Sequence, residues 1–145
     1  MAGQVFSQAR ISRIEVQNNG DVLYVFGDNM ERRGLGGQAK AMRGERNAVG
    51  VPTKWSPTWA PSAYFNADSL GDHRIKAAID EAFDRIPTHL QAGGDVVMPA
   101  DGLGTGLAEL PQRAPEVHVY IEQRLKALSP SSGPPIPTPW GERPL

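Results

Sequence analysis

Val22-Leu23-Tyr24-Val25-Phe26, running into Gly27-Asp28-Asn29, is the stretch that decides the fold. Five consecutive apolar residues leave no polar face, so this strand needs cover on both sides. Strands of that kind belong to parallel or mixed sheets flanked by helices, which points to a layered α/β architecture. Upstream, residues 14–17 alternate apolar and polar, and the turn Asn18-Asn19-Gly20-Asp21 would join them to the apolar run as a strand and a turn.

Downstream, Asp72 is a good N-cap, and Ile75, Ala78, Ile79, Ala82, Phe83 and Ile86 recur at helical spacing until Pro87. Leu35, Ala39 and Met42 share one face of a shorter helix over residues 38–43 that Gly44 stops. Residues 48–51 read as a strand ending at Pro52, and residues 95–98 as another ending at Pro99. Between them, residues 55–71 carry two prolines, Trp55, Trp59, Tyr64 and Phe65 without clear period, an ordered loop with one short strand. Its aromatics suit either a binding wall or packing against the core. Val117, Tyr120, Ile121, Leu125 and Leu128 trace the buried stripe of a helix opening near Pro115. Residues 129–145 hold six of the chain's 13 prolines and are expected to be disordered or polyproline-like, leaving one domain over residues 1–128.

Composition narrows the function. A net charge of -1 over 145 residues gives no basic field that would hold a nucleic-acid backbone by counterion release alone. With no cysteine there is neither a disulfide framework nor a thiolate site, and His73, His89 and His118 stand in no metal-ligand spacing, so no metal is expected. No apolar run approaches the roughly 20 residues of a bilayer span, and the expected location is cytoplasmic, with no membrane partner. No G-x-G-x-x-G, P-loop or G-x-S-x-G pattern occurs, so dehydrogenase, kinase and acyl-transfer readings lack their residues, and no cofactor is called for.

Two junctions carry the chemistry. Asp28-Asn29 leads to Gly34-Leu35-Gly36-Gly37, and Met98-Pro99-Ala100-Asp101 to Gly102-Leu103-Gly104-Thr105-Gly106-Leu107, each placing glycines just past a buried strand. Glycine lets the backbone approach a ligand closely, and successive N–H groups suit a phosphate. In an open α/β sheet the ligand crevice lies beyond the carboxyl ends of the strands, where both loops and Lys54 would meet. Bulk at Gly36 or Gly104 is expected to obstruct a phosphate more than to destabilise the fold.

In order along the chain, the strand ending in Asn29 with Gly34-Leu35-Gly36-Gly37-Gln38-Ala39, then Val51-Pro52-Thr53-Lys54-Trp55, then residues 98–107 resemble the three site motifs of the macro domain, the ADP-ribose-binding α/β module. The subgroup they resemble removes ADP-ribose from DNA bases or protein acids. The likeness spans residues 22–128. It implies a three-layer α/β/α fold with a mixed, largely parallel central sheet, and ADP-ribose or ADP-ribosylated DNA or protein as partner. It also implies Asn29 on the distal ribose, Lys54 as the catalytic residue facing the anomeric carbon, and the diphosphate on residues 34–37 and 102–106, with Asp28, Leu107 and Trp55 as further ligand contacts. Two departures stand out. Ala108 occupies the place of the hydrolases' catalytic aspartate, which leaves Asp101 or Glu109 to supply a carboxylate, and Gly20-Asp21, matching the family's adenine aspartate, runs straight into the strand without the usual intervening helix. Glycohydrolase, non-hydrolysing binder of ADP-ribose or a related nucleotide, and a nucleic-acid or protein adaptor working through Trp55, Trp59 and the tail are the readings left open.

Overall fold

The computed structural model describes residues 2–128 and 136–137. Four main strands, β1 (Val5–Gln8), β2 (Leu23–Asn29), β3 (Ala48–Lys54) and β4 (Val96–Pro99), form one sheet in the order β3-β2-β4-β1, and β5 (Ile136–Pro137) extends it beside β1. Every strand pair in it is parallel, so the expectation of a mixed sheet gives way to an all-parallel one among the described residues. Lys54 and Tyr64 form an isolated antiparallel bridge outside it. The β5 pairing also departs from the disorder expected of the tail, whose other residues lie outside those described.

The physical cause is the one visible in β2: its residues are buried on both faces. Leu23 and Val25 join Val5, Val96 and Met98 against α3 (His73–Gln91), α4 (Leu110–Arg113) and α5 (Pro115–Leu128), which bring Ile75, Ile79, Phe83, Leu110 and Ile121. Tyr24 and Phe26 point the other way, joining Phe6 and Val97 against Val16 of α1 (Arg13–Asn18) and Ala39 and Met42 of α2 (Ala39–Met42). The period-two alternation thus feeds two apolar layers instead of one layer and solvent. Phe83, fully buried in the first layer, should cost about 3–5 kcal/mol of stability when truncated to alanine. A lowered denaturation midpoint with an unchanged m-value is the expected reading.

Several boundaries differ from those read along the chain. Residues 14–17 are helical: Ser12 accepts from the Glu15 amide at 3.2 Å as an N-cap, Val16 is buried and Ile14 stays exposed. Pro52 lies inside β3, where an edge strand tolerates a missing N–H. Helix α3 runs through Pro87 to Gln91, because the proline sits on the solvent face while Leu90, one turn on, reaches the core. Residues 55–71 hold 3-10 turns at Pro61–Ala63 and Ser69–Gly71 in place of a strand. The short strand β1 is absent from the sequence reading.

One consequence of this winding positions the site. The chain leaves β2 toward α2 on one face and leaves β4 toward α4 on the other. Neighbouring parallel strands whose exits diverge open a crevice at their carboxyl ends.

Candidate functional site

A cavity of about 660 Å3 occupies that crevice. Its lining comes from the end of β2 (Gly27, Asp28, Asn29), the glycine loop and start of α2 (residues 33–39), the end of β3 (Thr53, Lys54), the loop bearing Pro57 and Trp59, and the turn after β4 (Gly104 and residues 106–109).

Local geometry explains the convergence. Asp28 pairs with Pro52, but Asn29 pairs with Lys54, so Thr53 is an extra residue in a β-bulge, and its hydroxyl donates to the Asp28 carbonyl at 3.0 Å. Without that bulge Asn29 would face Thr53 and Lys54 would turn to the opposite side of the strand; with it, Asn29 and Lys54 are cross-strand neighbours. Gln38 links the two glycine loops. Its Oε1 accepts from the Gly27 amide at 2.7 Å and its Nε2 donates to the Gly102 carbonyl at 3.2 Å.

Lys54 is buried. Its ammonium donates to the Thr58 carbonyl at 2.9 Å and lies 4.3 Å from the ring centre of Tyr64 and 5.4 Å from that of Trp59. Burial, and secondarily the Arg113 guanidinium, lower its pKa from the ordinary 10.5, while Glu109 opposes the shift. Glu109 itself adopts a left-handed backbone (φ 50°, ψ 37°) at the start of α4 and is paired with Arg113 at 3.2 Å. A non-glycine residue held there carries strain, a feature concentrated at functional sites. Asn29 spends its side-chain N–H on the Arg33 carbonyl at 2.8 Å, and its Oδ1 is a buried acceptor without a hydrogen-bond partner.

Of the residues singled out in the sequence, Asp28, Asn29, Gly34, Leu35, Gly36, Gly37, Lys54, Gly104, Gly106, Leu107 and Glu109 line this one cavity. Asp101, Gly102, Leu103, Thr105 and Trp55 do not. Leu103 is fully buried in the core, because its turn directs the one apolar side chain between two glycines inward. Asp101 is exposed, and its carbonyl accepts from the Thr105 hydroxyl. Trp55 packs edge-on against Phe65, 5.6 Å between ring centres, under the Arg74 guanidinium. Asp28 borders the cavity, and its carboxylate is held by Arg32, Arg43 and the Asn29 amide. Asp21 precedes β2, at the sheet end opposite the cavity, where its carbonyl meets the His89 ring. Gln38, Thr53 and Pro57 are lining residues absent from the sequence-derived site, and Trp59 is the one of the four loop aromatics that lines it.

Residues 6–124 match the sequence profile of a family of unknown function, DUF7831. The chain belongs to this family. No curated protein and no solved structure matches this DUF7831 member. Among its described residues no helix is long and apolar enough to cross a membrane, and no group of three or more histidine, aspartate or glutamate side chains is placed to hold a metal ion.

Proposed function

We propose that this cavity binds ADP-ribose and that the protein is a macro-domain-like glycohydrolase, releasing ADP-ribose from a modified DNA base or an acidic side chain. The observation that carries the reading is the convergence of both glycine loops, Asn29 and Lys54 on one cavity. Helices on both faces of the sheet suit the three-layer macro-domain arrangement. The diphosphate would rest on the amides of residues 34–37 and on Gly104 and Gly106, the unpartnered Oδ1 of Asn29 would accept from a ribose hydroxyl, and Lys54 would face the anomeric carbon. There the C–N or C–O bond breaks, a water oxygen bonds to the anomeric carbon, and the water's proton passes to the leaving group. A desolvated lysine suits such proton transfer or electrostatic work, and Glu109 is the carboxylate within the cavity able to act as base.

A binder that does not hydrolyse is the second reading. It is favoured by Ala108, which stands where the resembled hydrolases have aspartate, and by the pairing of Glu109 with Arg113.

Both readings require ADP-ribose to stabilise the fold. At a hundred times Kd, binding to the folded state alone adds about 2.7 kcal/mol, a rise in Tm of roughly 5–10 °C for a chain of this size. AMP should give less. Thermal denaturation checks this, and an unchanged Tm at millimolar ADP-ribose overturns the ligand assignment.

A further inference from the structure

Asp28 and Arg43 border two cavities, the candidate site and a second one of about 260 Å3. Asp28 is almost fully buried, with 3% of its side chain exposed. It meets Arg43 through Oδ1 and Arg32 through Oδ2 at 3.0 Å, and Gly50 lies so close that a Cβ there would come within 2.7 Å of the Asp28 Cβ. The carboxylate is therefore fixed.

Arg43 does more than neutralise it. Its Nε donates to the Gly34 carbonyl at 2.6 Å and its Nη2 to the Arg33 carbonyl at 3.2 Å, so one guanidinium joins the buried carboxylate to two successive peptides at the start of the glycine loop. In a trans peptide the C=O and N–H point in opposite directions. Turning the Arg33 and Gly34 carbonyls toward Arg43 thus turns the Gly34 and Leu35 N–H groups away from it. The planar fork fixes this orientation, whereas a single ammonium cannot reach all three acceptors.

We propose that Arg43 is a positioning residue: anchored on Asp28, it holds the backbone of the 34–37 loop in the orientation that receives an anionic ligand. The inference rests on the reading of the cavity as a diphosphate site. Arg43→Lys keeps the charge and is expected to weaken ADP-ribose binding at least tenfold by calorimetry. Arg43→Ala should lose as much, and guanidinium ion at low millimolar concentration, entering the space beside Asp28 that the second cavity borders, should restore much of the affinity. Should Arg43→Ala fail to fold with Asp28 unpaired, the Asp28→Asn/Arg43→Ala pair removes the uncompensated charge and is expected to show the same loss without rescue. Wild-type affinity in Arg43→Lys, or affinity lost in Arg43→Ala that guanidinium does not recover, overturns the role. If wild-type protein binds no ADP-ribose, the ligand reading fails on its own. The backbone amide resonances of residues 34–37 then decide: displacement or broadening in Arg43→Lys supports the positioning role, and resonances identical to wild type overturn it.

Discussion

Lys54→Ala is expected to lower release of ADP-ribose from a modified DNA base or acidic side chain by about a thousandfold or more, roughly 4 kcal/mol of barrier, while Kd for free ADP-ribose moves less than about threefold. The grip on a diphosphate is assigned to backbone amides, whereas Lys54 stands beside Asn29 across the bulge, where the reacting sugar is placed. An interaction made mainly in the transition state shows in rate and not in ground-state affinity. Because Lys54 also packs on Tyr64 and Trp59, Lys54→Met serves as the control that keeps the stem and loses the amine. The pH profile adds a sign. With the lysine pKa lowered, the neutral amine forms at lower pH than usual, so a rate that depends on the amine rises with pH with its inflection below 10.5. Arg113→Gln removes a cation that depresses the pKa and should move the inflection upward. Turnover at the wild-type rate in Lys54→Ala overturns the placement of the active site. Tight ADP-ribose binding with no release by wild type leaves the binder.

The features legible in the sequence were those written in local pattern. The apolar run of β2, the amphipathic spacing of α3 and the glycines beyond two strands required only neighbours in the chain, and topology then carried both loops to one crevice. Helix α1 was written there as well, in the capping box Ser12-x-x-Glu15, but a four-residue alternation of apolar and polar residues imitated a strand. Strand β1 is only four residues long and carries two polar ones, so its burial depends on the sheet that covers it. The pairing of Asp28 with Arg43 was not legible, because it spans 15 residues of chain, a distance at which no sequence spacing speaks. Gln38 passed as a helix former for the same reason, since both of its bonds reach outside its own helix.

Gly104→Val is expected to destabilise the protein by about 2–5 kcal/mol, against the sequence-based view that this glycine serves the ligand more than the fold. Gly104 has φ +77°, where a side chain with a Cβ is strained by roughly 1–2 kcal/mol. A Cβ there would also lie 2.7 Å from Leu110 Cγ, closer still to its Cδ1, and 3.1 Å from Thr53 Cβ. Leu110 is fully buried in the first apolar layer and cannot swing into solvent, so the collision adds an overpacking cost of about 1–3 kcal/mol. Gly36 is the contrasting case. It needs no left-handed backbone, and its added Cβ would meet only Leu107 Cδ1 at 3.4 Å, an ordinary contact with a half-exposed side chain. Gly36→Val should therefore leave stability within about 1 kcal/mol of wild type while blocking the cavity that Gly36 lines. Denaturation midpoints and ADP-ribose titrations of the two variants separate these effects. A Gly104→Val protein as stable as wild type would show that Leu110 can yield, and a Gly36→Val protein with undiminished affinity would remove the 34–37 loop from the ligand site.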